Sequence, residues 1–122
     1  MTKAQSLHQF WSSFGIPAYS QETVPDKAVM PYLTYEVMTD SFEGSLQMVA
    51  NLWWRSYSWT EISEKAEEIA EYIATMHPPT IEVDGGRLWI VKGTPFAQRM
   101  SDDDDSIRRI VLSIEAEFFT NF

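Results

Sequence analysis

The order of periodicities along this 122-residue chain predicts an α+β domain, with a mainly antiparallel sheet of about four to five strands and two α-helices packed on one face. Three observations lead there. Two segments repeat apolar residues at helical spacing. The other patterned segments alternate apolar and polar residues every second position. None of these strand segments is continuously apolar, as strands buried on both faces of a parallel sheet are. The length suits a single hydrophobic core, so residues 1–122 are read as one domain.

The first helix is read from Leu7, Phe10, Trp11 and Phe14, which fall at i, i+3, i+4 and i+7 and so share one side of about four turns. Gly15 stops it, with Pro17 close behind. After an irregular stretch containing Pro25 comes "MPYLTYEVMT", where Pro31 suits the start of a strand and Leu33, Tyr35 and Val37 point to one face. A short acidic turn spans residues 40–44. In "GSLQMVANLWWRS", Leu46, Met48, Ala50, Leu52 and Trp54 alternate, which predicts an antiparallel hairpin with the preceding strand. A second helix is predicted over residues 59–76. Ser58 and Glu61 have the spacing of a capping box, Ile62, Ala66, Ile69, Ala70 and Ile73 form one stripe, and His77-Pro78-Pro79 ends it. Its opposite side carries Glu64, Glu67, Glu68 and Glu71. "TIEV" and "RLWIVKG" follow as strands joined by Asp84-Gly85-Gly86, residues that tolerate a tight hairpin turn. A loop of about a dozen residues then leads to a last strand, "SIRRIVLSIEAEFF", with Ile110, Leu112, Ile114, Ala116 and Phe118 on one face.

Strand parity sends a second set of side chains away from the helices. They are Tyr32, Thr34 and Glu36, then Val49, Trp53 and Arg55, then Arg109, Val111, Ser113, Glu115 and Glu117. Such a mixed, amphipathic face has the composition of an interface. Trp53, Trp54, Trp59 and Trp89 exceed what one small core needs, so at least one tryptophan is expected at an interface, and parity selects Trp53.

The net charge of −9 and the pI near 4.5 oppose contact with phosphate backbones and anionic lipid, and no cluster of Lys or Arg offsets this locally. Specific nucleic-acid binding is therefore not expected. The absence of cysteine excludes disulfides and thiolate chemistry. "MTKAQSLHQFWSSFG" has spaced rather than continuous apolar residues, unlike a signal peptide, and no run approaches the roughly 20 apolar residues of a membrane span. A soluble, intracellular protein without membrane contact is expected.

Candidate chemistry is sparse. His8 and His77 lie in unrelated settings, no G-x-S-x-G motif is present, and the five glycines form no phosphate-cradling pattern. Glu115 and Glu117 lie on one strand face about 7 Å apart, within the range of paired glycosidase carboxylates, but the signal is weak, because a solvated or interfacial strand edge explains them without a substrate cleft. The expectation is no enzyme, no catalytic residues, no cofactor and no metal site. The four consecutive aspartates Asp102, Asp103, Asp104 and Asp105 have neither the alternation nor the glycine of a Ca²⁺ loop. Their mutual repulsion predicts an extended, mobile loop unless cations or a partner neutralise it. A solvated loop, a contact loop for a basic surface and a divalent-ion site all remain open, and Arg99, Arg108 and Arg109 bracket the run as pairing partners within the chain or across a contact.

Taken in order, several segments resemble the tail-completion, or tail-terminator, proteins of long-tailed bacteriophages and their prophages. The amphipathic N-terminal helix is followed by "GIPAYSQETVPDKAVMPYLTYEV", a short strand and a proline-containing link leading to a P-Y-hydrophobic-x-Y strand. "ANLWWRSYSWTEISEKAEEIAEYI" passes from a tryptophan-rich strand into an A-x-x-I-A helix, and an acidic loop precedes "IRRIVLSIEAEFF". The resemblance covers most of the chain and rests on order and length more than on signature residues. It implies a virion structural protein that forms a ring, typically hexameric, on the last ring of the tail tube. There it would stop tube growth and join tail to head, with the major tail tube protein and the head-tail connector as partners. In such a ring the aspartate loop would either line the lumen, keeping passing DNA from sticking, or reach a basic patch on the adjacent subunit. Asp102, Asp103, Asp104, Asp105, Arg108, Arg109, Trp53 and Arg55 are the residues expected at subunit or partner contacts. The alternatives are a minor capsid or head-tail connector component, an acidic adaptor that binds a basic partner through helix 59–76, and a small hydrolase using Glu115 and Glu117.

Overall fold

The computed structural model describes residues 2–36 and 45–120, apart from the side chains of Ser45 and Leu46. Val37 and the predicted turn at residues 40–44 lie outside the described residues, as does the side chain of Leu46.

Helix α1 (Lys3–Trp11) starts at a capping box in which Gln5 N–H donates to Thr2 Oγ1 and Thr2 N–H donates to Gln5 Oε1. It tightens into a short 3-10 turn (Ser12–Phe14) and stops at Gly15, whose φ of 82° is the left-handed value that favours glycine at such an end. Leu7, Phe10, Trp11 and Phe14 are all buried, as their spacing predicts. Helix α2 (Thr60–Thr75) buries Ile62, Ala66, Ile69 and Ile73 and exposes Glu64, Glu67, Glu68 and Glu71. The Ser58–Glu61 capping box expected here does not form. The cap position is Trp59, Ser58 Oγ accepts only from the Thr60 amide, and Glu61 Oε2 turns back to accept from the buried Trp54 indole N–H at 3.0 Å. A charge-assisted bond to a buried donor outweighs one to a solvated amide.

The sheet has six strands rather than four or five, β1 (Ala18–Ser20), β2 (Tyr32–Tyr35), β3 (Ser45–Arg55), β4 (Thr80–Val83), β5 (Gly86–Met100) and β6 (Ile107–Thr120). Their spatial order is β1-β2-β3-β6-β5-β4. The three-residue β1 is too short to display a period, and it pairs parallel to β2, while the other four pairings are antiparallel. Both helices cover one face. Because α1 packs against β1 at one border and β4 at the other, the sheet curls around it. The core lies inside this curl, with Leu33, Leu52, Ile62, Ile69, Leu88, Ile90, Leu112 and Ile114 fully buried.

The predicted dozen-residue loop is mostly strand. Between Lys92 and Ala97 the register slips, with β5 advancing five residues while β6 advances two, and pairing then resumes to Met100. Pro95 and the broken alternation across residues 93–96 hide this continuation in the sequence. The remaining loop, residues 101–106, closes a long hairpin.

Candidate interaction surface

The outer face of the sheet carries a ladder of stacked groups across four strands. Pairing sets Tyr19 beside Thr34, Tyr32 beside Trp53, and Trp53 beside Arg109. The rings of Tyr19 and Tyr32 lie 5.7 Å apart, those of Tyr32 and Trp53 6.5 Å apart, and the Arg109 guanidinium sits 5.1 Å over the Trp53 ring. Two polar side chains buried beneath the ladder are satisfied by it. Trp53 Nε1–H donates to Thr34 Oγ1 at 3.0 Å, and Arg109 Nε–H donates to Asn51 Oδ1 at 2.9 Å. The face predicted from parity therefore exists, and Trp53 and Arg109 meet on it.

The aspartate loop is tied down rather than extended. The Asp104 amide donates to Asp102 Oδ1, and Asp104 Oδ1 accepts from both the amide and the hydroxyl of Ser106, so two of the four carboxylates close turns on the backbone two residues ahead. Arg55 donates to Ser106 Oγ at 2.9 Å and pairs with Asp104 at 3.7 Å. The two Ser106 hydrogen bonds, then Arg55, hold the Asp104 carboxyl below the usual aspartate range. Arg108 serves the loop through main-chain oxygens, donating to the carbonyls of Asp105, Ile107 and Tyr57. Its guanidinium and that of Arg99 both lie over Trp59. The expected contact residues thus fall into two neighbouring groups, Asp102 to Asp105 with Arg55 and Arg108 at the loop, and Trp53 with Arg109 on the ladder. Of the bracketing arginines, none pairs with an aspartate carboxylate among the described residues; Arg55, from β3, does so instead.

A second patch escaped the sequence reading. Trp89, Val91 and Phe119 stand exposed on the outer face of β5 and β6, Trp89 and Phe119 by 43% and 48% respectively, with their rings 6.2 Å apart. Trp89 and Phe119 border an apolar hollow of about 420 Å³ with Pro78, Thr80 and Arg87. Parity was the available signal, because buried Leu88 and Ile90 send Trp89 and Val91 outward. Trp89, not Trp53, is the more exposed tryptophan.

Glu115 and Glu117 share this face, lining with Trp89 and Val91 a smaller hollow of about 160 Å³. His8 Nδ1 lies 2.8 Å from the Tyr35 hydroxyl, whose pKa burial raises. No three Asp, Glu or His side chains gather as a metal ion requires among the described residues, and no helix is long and apolar enough to cross a membrane.

The architecture defines a class, a curled α+β sheet with two helices on its inner face and, among the described residues, no helix on its outer face. Solved structures share it over nearly the whole chain. One, from the virion of a native gene transfer agent particle, superposes with a TM-score of 0.62 at 14% identity, covering 96% of this chain and 94% of that one. A second solved structure gives a TM-score of 0.56 at 14% identity, covering 97% of this chain and 91% of that one. No protein-family model matches the chain, and no curated protein matches it in sequence.

Proposed function

We propose that the chain is a structural protein of a phage-like virion, a tail terminator that assembles as a hexameric ring at the head-proximal end of the tail tube. It ends tube growth and joins tail to head, with the tail tube protein below it and the connector above, and performs no catalysis. The observation that carries this reading is the whole-length fold likeness to a chain of the gene transfer agent virion. The order of segments quoted above and the two surface clusters on the outer sheet face support it.

Deleting the gene in the strain that makes the particle tests the reading. Tails of unregulated length and heads without tails are expected, and the tagged protein, restored in trans, should label the head-proximal tail end. Normal tail lengths on complete particles after deletion would refute it. A label on the heads alone, with tail length still regulated, would instead favour a minor capsid or connector component.

A further inference from the structure

We infer that the open edge of β5 at residues 97–100 accepts an added strand, an extended segment of a partner protein that carries an apolar residue flanked by basic ones. β5 has fifteen residues, yet β4 pairs only with residues 86–89. Among the described residues no strand takes that side of β5 further along. Backbone alternation says which groups are left there. The Ile90 amide turns to the β4 side, where it donates to the Pro79 carbonyl at 2.8 Å, so Trp89 and Val91 turn to Glu117 and Glu115 on β6. The same alternation along β6, which pairs without a break with β3, makes Val111 and Arg109 face β5 opposite Gln98 and Met100. Ala97 and Arg99 therefore turn their N–H and C=O groups to the open side, with no strand among the described residues to receive them.

Other parts of this border are guarded. On β4 the Ser6 hydroxyl donates to the Glu82 carbonyl at 2.6 Å, and Lys92, Pro95 and the register slip blunt the middle of β5. Residues 97–100 are exposed and lie in regular register with β6. Beside them is a hollow of about 270 Å³, walled by Ala66, Glu67 and Ala70 of α2 and floored by Phe96, Ala97 and Ile110. A strand edge beside such a groove is the geometry in which extended peptides bind by strand addition. A residue set opposite Ala97 shares the inward face of Ala97 and Leu112, so its side chain enters the hollow, where Ala66, Ala70 and Phe96 suit a small apolar group. Charge selects its neighbours. Glu67 on the wall and Glu71 one turn further are exposed and make no ion pair among the described residues, which favours basic side chains and repels nucleic acid or acidic segments. The edge is open whatever place the chain takes in a virion.

The probe is a synthetic peptide, acetyl-Thr-Lys-Thr-Val-Thr-Lys-Thr-amide, titrated into the isotope-labelled full chain and followed by NMR. The Ala97 and Arg99 amides are expected to shift and to slow in hydrogen exchange by about tenfold, while Gln98 and Met100, already bonded to β6, keep their rates. Ala97→Pro removes an edge donor and no bond to β6, so it should weaken binding about tenfold. Thermal melts confirm its fold. Glu67→Lys with Glu71→Lys should reverse the preference, from this peptide to one with glutamate in place of lysine. No binding at millimolar peptide, shifts centred elsewhere, or equal binding by a peptide N-methylated at its valine would overturn the site. So would the same protection growing with protein concentration when no peptide is present, since a second copy of the chain would then occupy the edge.

Discussion

Replacing Trp53 by alanine separates two roles open to this side chain, holding the outer face of one subunit together and touching a neighbour. The first can be worked from the geometry. Loss of the indole removes the donor to the buried Thr34 hydroxyl, which costs about 1 kcal/mol. The ring contact with Tyr32 contributes about 0.5–1 kcal/mol. The Arg109 guanidinium over the ring adds about 0.5–1 kcal/mol at a partly exposed site. Together these give about 2–3 kcal/mol, below the cost of truncating a fully buried tryptophan. For a domain of this size the melting temperature falls by roughly 10 °C. Trp53→Phe keeps a ring and loses only the N–H, so it should cost about 1 kcal/mol. Thermal melts followed by circular dichroism, with sedimentation velocity on the same samples, read both roles. A Trp53→Ala protein that melts within about 2 °C of wild type would refute the ladder argument. One that is destabilised as expected yet assembles normally would place Trp53 outside the subunit contact.

Three further outcomes follow from local geometry. A Cβ at Gly86 overlaps the Phe119 carbonyl oxygen, so Gly86→Ala should cost about 1–3 kcal/mol in a denaturant titration and shift the Phe119 signals in an NMR spectrum. Glu61→Ala should destabilise by about 1–2 kcal/mol by orphaning the Trp54 indole, with Ser58→Ala costing less; the reverse order would restore the capping box. Ser106→Ala should raise the Asp104 titration, read from carboxyl carbon shifts, towards the ordinary aspartate range. Because the folded carboxyl is depressed, its contribution is present above the unfolded pKa and is lost as pH falls through the folded one. Acid should therefore loosen the loop, and an unmoved titration in Ser106→Ala would refute the assignment.

What the sequence made legible was whatever periodicity controls. The stripes Leu7–Phe10–Trp11–Phe14 and Ile62–Ala66–Ile69–Ile73 are buried, and Met48, Ala50, Leu52 and Trp54 alternate inward along β3. Period failed where an element is shorter than its own signal, as in β1, or where a register slip interrupts it, as between Lys92 and Ala97. Caps failed for a different reason. Thr2-x-x-Gln5 forms a capping box and Ser58-x-x-Glu61 does not, although the two look alike as strings. Glu61 has a buried tryptophan N–H within reach, and that competitor is contributed by β3, seven residues earlier in the chain.

The aspartate loop failed for a related reason, one that bears on what it presents. Counting charges treats the four carboxylates as equivalent and self-repelling, which predicts an extended loop. Geometry makes them unequal. Asp102 and Asp104 spend oxygens on main-chain amides two residues ahead, and Arg55, about fifty residues upstream, supplies the cation that the adjacent arginines do not. Those neighbours are needed elsewhere, Arg108 on three carbonyls and Arg109 on Asn51 and Trp53. Asp103 and Asp105 are then the exposed carboxylates that make no hydrogen bond or ion pair with the described residues, carried on a turn closed by its own hydrogen bonds. A partner meeting them has little loop entropy to overcome, so a basic surface gains more from this run than from four aspartates on a flexible tether.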